Sequence, residues 1–300
     1  MTTLVQAEKV NQTTMVKFRY FVELTKPRIT VMVLITVGIA GYVAAPGQAT
    51  VPQIINAIIG TLFIAASGAA SNMYVERYTD FLMSRTAKRP LPAHKLTSNE
   101  VAIFGAITLG AGISFLFLQV SILAAILGLT TWVLYVLVYT PMKVKTWTNT
   151  IVGAIAGAMP ILIGAAATTN FLNFQSWMFF GVLFFWQFPH FMAIAWMFRK
   201  DYEKSNLVML TVTDKSGRQS GWLAVGTAIA MYFVCLPLVI NIEGFSSQLV
   251  FIVISTSLCT MYLLPSLAYL KNRNDQTAKK LLRASIIFLP LFMITLACCQ

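Results

Sequence analysis

Asn72, Glu76 and Asp80 stand four residues apart in SNMYVERYTDFLMSRTAKRPLP, the stretch from Ser71 to Pro92. On a continuing helix this spacing turns all three side chains to one face. An amide oxygen and two carboxylates are hard oxygen donors, the kind Mg²⁺ accepts when water and a substrate phosphate complete its shell. Arg77, Arg85, Lys88 and Arg89 belong to the same stretch, and their charge suits the remaining oxygens of a diphosphate. The other reading of these residues is the polar hem of a transmembrane helix, with acids and bases pairing in the headgroup region. Carboxylates at a helix end inside the membrane boundary are costly and usually functional, which favours a site.

The chain that must position these residues is apolar throughout. Of its 300 residues 57% are hydrophobic and 11% charged, and the mean hydropathy is +0.73. That leaves too little polar surface for a soluble globule and defines a polytopic membrane protein. Nine apolar runs are long enough to cross as helices, at about 28–46, 52–72, 101–119, 121–139, 150–167, 175–198, 222–241, 248–270 and 281–299. Arg283 shortens the last run. Continuous apolar runs exclude the alternating pattern of a barrel. The expected fold class is therefore all-α, a bundle of nine transmembrane helices in one membrane-embedded domain, 1–300. Under nine crossings all 22 Lys and Arg fall on the same side. By the positive-inside rule that side, with the N-terminus, is cytoplasmic, and the C-terminus lies on the other side. The net charge of +12 thus reads as topology and phosphate affinity, not as a nucleic-acid surface.

Residues 1–27 lack the apolar core of a cleavable signal peptide, so the first span is expected to be retained. Met15, Phe18, Phe21 and Val22 beside Lys17 and Arg19 suggest a short interfacial helix. Disorder is expected over residues 1 to about 12. Cys235, Cys259, Cys298 and Cys299 lack metal or redox spacing and read as packing residues.

A second polar region follows the fourth run, with Tyr139, Thr140, Lys143, Thr146 and Asn149 leading into GAIAGAMPILIGA. There Gly153, Gly157 and Gly164 permit close helix approach. Lys143 either reaches a diphosphate or snorkels to the lipid surface. In the sixth run, FFWQFPHFMAIAW, His190 sits well inside an apolar segment where an imidazole needs a partner. That partner is either another helix or the iron or edge of a haem. Asp201 stands beyond the sixth span much as Asp80 stands beyond the second, four spans earlier, which suggests two related half-bundles with carboxylates facing across one mouth. His190 precedes Asp201 by two to three turns, roughly 16 Å along a helix axis.

N-x-x-x-E-x-x-x-D followed by M-x-R-T-x-x-R-P-L-P resembles the first signature of the UbiA-like intramembrane prenyltransferase superfamily, in the form carried by the protohaem IX farnesyltransferase (haem O synthase) branch. The superfamily more often has Asp where this chain has Glu76, and Glu there marks the haem branch. LTKPRIT, Y-T-x-x-K-x-x-T-x-x-N and W-x-x-P-H-F followed by Asp201-Tyr202 are similar to the same branch, so the resemblance runs along nearly the whole chain. It implies transfer of the farnesyl group of farnesyl diphosphate to the vinyl group of haem B, giving haem O, with Mg²⁺ as cofactor. It also implies haem A synthase or the terminal oxidase assembly as partners. The implied metal ligands and catalytic residues are Asn72, Glu76, Asp80 and Asp201. Arg77, Arg85, Lys88, Arg89, Lys143, Tyr139, His190, Tyr202, Lys26 and Arg28 are the implied substrate-binding residues, Lys26 or Arg28 meeting a diphosphate or a haem propionate. Where the superfamily often has a further Asp in the second motif, this chain has Lys204, Ser205 and Asn206, which leaves the number of metal ions open. The alternatives are a prenyltransferase acting on a quinone precursor and, more distantly, a transporter. A transporter would hold its polar groups near the bilayer midplane, whereas these charges crowd one face.

Overall fold

The computed structural model describes residues 16–300; the disorder expected for residues 1 to about 12, and Met15, lie outside them. The described residues are helical, with no strand among them. Nine helices among them are long and apolar enough to cross a membrane, the first to ninth spans in chain order: Pro27–Ala44, Val51–Val75, Ser98–Gln119, Ile122–Met142, Asn149–Thr169, Phe174–Met197, Arg218–Asn241, Phe245–Lys271 and Asp275–Cys298. The protein is an integral membrane protein of the expected class.

Several spans begin before their apolar runs because a capped polar turn precedes the membrane segment. Thr97 and Glu100 form a capping box at the third span, and Asn274 and Thr277 form one at the ninth; each satisfies amide groups that the first turn leaves without helical partners. The ninth span therefore starts at Asp275, and its basic first turns carry Lys279, Lys280 and Arg283. Residues 16–24 form the expected short helix. Phe18 is exposed on it, whereas Leu24 is buried at its end. Phe21 meets Phe104 of the third span at 5.3 Å between ring centroids.

The second span packs along the third, the first along the fifth, and the seventh along the sixth. The fifth span is the most enclosed of the nine, and its small residues explain why. A Cβ on Gly164 would run into the carbonyl of Val37 and the amide of Gly41 in the first span. Backbone cannot move aside as a flexible side chain can, so glycine sets that helix separation. The cysteines are unpaired; Cys235, Cys259 and Cys299 are buried, as the packing role requires, whereas Cys298 is exposed at the end of the ninth span and does not pack.

Three irregularities shape the spans at the end that carries Glu76, Lys143 and Asp201. The helix of the second span ends at Val75, and a separate six-residue helix, Arg77–Leu82, continues past a break at Glu76. The sixth span is likewise followed by a six-residue helix, Arg199–Lys204. In the fourth span, Val133–Tyr139 is π-helical, a local widening that recurs at functional sites.

Candidate active site

A polar cavity of about 110 Å³ lies where the second span meets its following helix. Asn72, Glu76 and Asp80 all line it, although the break at Glu76 replaces the single continuous helix that their spacing suggests. Asn72 is held from two sides. Its Nδ2 donates to Thr140 Oγ1 at 3.0 Å, while its Oδ1 accepts from Lys26 Nζ at 2.7 Å. The Thr140 bond fixes the amide so that the acceptor oxygen points to Lys26.

The two carboxylates are paired as well. Lys143 Nζ lies 2.6 Å from Glu76 Oε1, and Arg89 Nη1 lies 2.7 Å from Asp80 Oδ2. Asp80 is fully buried, and its second oxygen, Oδ1, has no hydrogen-bond partner among the described residues. Burial pushes the Asp80 carboxyl above its usual range despite Arg89. Burial would also raise Glu76, but the Lys143 and Lys26 charges outweigh it and hold that carboxyl low. For Lys143 burial opposes the charged form, yet Glu76 wins and the ammonium titrates above its ordinary value. Lys26 has no such full partner; burial, with the Arg89 charge, lowers it to about 8.

The loops hold these groups by short local bonds. Thr86 Oγ1 donates to the Asp80 carbonyl at 2.8 Å, folding the chain back so that Arg89 reaches the carboxylate. The Lys143 carbonyl accepts from Val208 N at 2.7 Å, and Asn149 Nδ2 donates to the Val208 carbonyl at 3.1 Å. The loop after the fourth span is thereby fixed to the loop after the sixth. Lys143 Nζ also sits 4.4 Å from the centre of the Tyr139 ring, a cation-π contact. A Cβ on Gly153 would come within 2.7 Å of that ring, so Gly153 lets Tyr139 lie against the fifth span.

The π-helical turn stacks Tyr135 on Tyr139, with centroids 5.6 Å apart, and both line the cavity. Reading the sequence does not single out Tyr135. Its position four residues before Tyr139 is the available signal, since that interval shares a helix face. Arg85 and Tyr202 close the other side, Arg85 Nη2 donating to Tyr202 OH at 2.7 Å.

Other expected residues stand elsewhere. Asp201 does not line this cavity. It faces a separate open cleft with Arg199 and Asp275 and accepts from Ser84 Oγ at 3.1 Å. Successive helical residues point roughly 100° apart, so the inward turn of Tyr202 carries Asp201 sideways. Arg77 points away from the cavity, bonding the Tyr74 carbonyl at 2.8 Å and stacking on Tyr74 and Tyr78. Arg28 and Lys88 are exposed and do not line it. Among the described residues no three His, Cys, Asp or Glu side chains gather into a ready metal cage. Glu76, Asp80 and the Asn72 amide can still supply part of a magnesium shell, and the unpartnered buried Oδ1 of Asp80 is the donor atom that fits best.

His190 lies apart, in the sixth span. Its Nδ1 is 2.8 Å from Ser285 Oγ in the ninth span, and its ring stacks on Trp186 at 4.9 Å. The Ser285 hydroxyl gives its one proton to the Leu282 carbonyl at 2.7 Å. By elimination His190 Nδ1 is the donor of the pair, and Nε2 presents a lone pair. Trp186 Nε1 donates to the Ser285 carbonyl at 3.0 Å, and Tyr262 OH to the Trp186 carbonyl at 2.7 Å. His190 therefore has an interhelical partner, and that partner leaves one ring nitrogen uncommitted.

A helical membrane bundle with paired acids and bases lining one small cavity is suited to hold an anionic ligand. The UbiA prenyltransferase family model matches residues 33–293, and the chain belongs to this family. It is 38% identical over 283 residues to a protoheme IX farnesyltransferase of Rhodopirellula baltica, covering 92% of this chain and 98% of the relative. Among solved structures, one of a digeranylgeranylglyceryl phosphate synthase is similar at a TM-score of 0.78 and 18% identity, covering 94% of this chain and 98% of that one. A UbiA homologue from Archaeoglobus fulgidus bound to DMAPP and Mg²⁺ is similar at a TM-score of 0.67 and 14% identity, covering 92% and 98%. At these identities the two structures show the shared fold.

Proposed function

We propose that this chain, as one membrane-embedded domain, transfers the farnesyl group of farnesyl diphosphate to a vinyl group of haem B, giving haem O and diphosphate. The observation that carries this reading is the cavity in which Asn72, Glu76 and Asp80 face Lys26, Arg89 and Lys143. Such a site takes a diphosphate from the cations and a divalent ion from the oxygens. Magnesium bound there would neutralise charge on the departing diphosphate. Lys26, Arg85, Arg89 and Lys143 bind diphosphate oxygens and favour departure because their charge is already in place. The rings of Tyr135 and Tyr139 stabilise the allylic cation that remains. The haem vinyl group attacks the allylic carbon, forming the new carbon–carbon bond, and water adds to the resulting cation and releases one proton to solvent, leaving the hydroxyl of haem O.

His190 supplies a contact to the acceptor, with Nε2 turned to the haem and Nδ1 held by Ser285. The 38% identical relative named protoheme IX farnesyltransferase supports the choice of acceptor. In the same reading the protein resides in a bacterial cytoplasmic membrane, N-terminus in the cytoplasm and C-terminus in the periplasm. Haem A synthase or the terminal oxidase assembly receives the product. The test is incubation of purified protein with haem B, farnesyl diphosphate and Mg²⁺ followed by mass analysis. A farnesylated, hydroxylated haem is expected. Alkylation of a hydroxybenzoate or naphthoate acceptor with no farnesylated haem would overturn the assignment.

A further inference from the structure

The three oxygen donors of the cavity differ in one respect. Among the described residues Asp80 keeps Oδ1 unpartnered while Arg89 holds Oδ2, and Glu76 meets Lys143 through Oε1, one of its two oxygens. Both carboxylates can therefore ligate a divalent ion with their basic partners in place. Asn72 cannot do so in the same way. Its amide has a single acceptor oxygen, that oxygen is bonded to Lys26 Nζ at 2.7 Å, and the Thr140 bond prevents the amide from turning another way. An ammonium and a divalent cation on one oxygen repel each other strongly in a site this enclosed. The Lys26 bond therefore opposes metal ligation by Asn72.

Lys26 also stands on an unusual backbone. It lies between the interfacial helix and Pro27 with φ 50° and ψ 61°, the left-handed region. A non-glycine residue there is strained, and such strain persists where function or surroundings fix the position. The strained turn aims the side chain past the start of the first span to Asn72, which lies 46 residues on in the chain.

We propose that Lys26 occupies the Asn72 oxygen until diphosphate enters, then passes to a diphosphate oxygen and leaves Asn72 to the divalent ion. Metal and diphosphate thus load together, and the metal alone is held weakly. The inference rests on the metal–diphosphate reading of the cavity and is independent of the acceptor.

Mn²⁺ binding to purified full-length protein, followed by the resonance of the free ion, tests this with inorganic diphosphate as the second ligand and a protein-free titration correcting for the soluble complex. Wild type should bind Mn²⁺ at least about tenfold more tightly when diphosphate is present, within the usual range of site coupling. Lys26→Met should tighten binding of Mn²⁺ alone by about tenfold and reduce the coupling, while Lys26→Arg should behave as wild type. Removing a positive charge favours cation binding anywhere nearby, so two controls separate the causes. Lys145→Met, an exposed lysine beyond the fourth span, should change little. Lys26→Met combined with Asn72→Ala should lose the gain, because the gain depends on the released oxygen. An unchanged Mn²⁺ affinity in Lys26→Met, or a gain that survives Asn72→Ala, overturns the proposal. Failure of the site reading has a different signature: Glu76→Gln and Asp80→Asn would then bind Mn²⁺ with diphosphate as wild type does.

Discussion

Lys143 Nζ lies 2.6 Å from Glu76 Oε1, joining the loop after the fourth span to the break after the second across 67 residues of chain. Both side chains are largely removed from solvent. Removing one partner of such a pair leaves a buried charge uncompensated, whereas removing both does not. Lys143→Met should therefore cost about 3 kcal/mol of stability. Lys143→Met with Glu76→Gln should recover most of it while remaining inactive. Thermal unfolding in detergent beside turnover measures both; an additive double variant would break the link.

Asn72→Ala, Glu76→Gln and Asp80→Asn should each lower turnover by on the order of 100-fold, the cost of removing or misorienting a ligand, with insertion into the membrane retained. Near-normal kcat and unchanged Mg²⁺ dependence in a Glu76→Gln, Asp80→Asn double variant would show that the metal lies elsewhere.

Chelation should abolish turnover and leave the melting temperature nearly unchanged. Lys26, Lys143 and Arg89 already partner the three oxygen-bearing side chains, so the fold does not depend on a metal for charge balance. A large fall in melting temperature with EDTA would mean that the ion is structural.

His190→Ala should weaken haem binding, read at the Soret band, more than it weakens farnesyl diphosphate binding. Ser285→Ala should produce a smaller change of the same kind, because it removes the partner that holds Nδ1 as donor. A loss of thermal stability with an unchanged Soret titration would return His190 to packing between the sixth and ninth spans.

Two glycines of the fifth span should differ in kind. Gly164→Ala forces a methyl group against the first-span backbone and should cost about 1–3 kcal/mol. Gly153→Ala meets the movable ring of Tyr139 and should lower kcat with less effect on stability. Equal melting temperatures for both variants would contradict the packing described.

Much of the fold and part of the site are legible in the sequence, and the limits have physical causes. All nine spans are visible because each is an apolar run long enough to cross lipid. Asn72, Glu76 and Asp80 are visible because hard donors at helical spacing beside an apolar end are rare. Their basic partners are visible only as a group. Spacing does not reveal that Lys143 pairs with Glu76 or Lys26 with Asn72, since those contacts depend on how separate spans are arranged. Asp201 has the same sequence context as Asp80, but which of two adjacent helical residues turns inward is a matter of tens of degrees. The break at Glu76 has no proline or glycine to announce it, and the π-helical turn at Val133–Tyr139 has a wholly apolar and aromatic sequence.

That π-helical turn gives the fourth span two rotational settings along one axis. Ile122–Trp132 follows the ordinary helical phase, with Ala124, Ala125 and Gly128 buried, while Tyr139 and Lys143 follow another that faces the cavity. The turn acts as a phase shifter between anchoring and chemistry. Winding the same seven residues as an ordinary α-helix would swing everything beyond the turn by on the order of 100°. Thr140 would leave Asn72 and Lys143 would leave Glu76, although no residue that touches the cavity had been replaced. In this span the winding of the chain is as much a part of the active site as the identity of its residues.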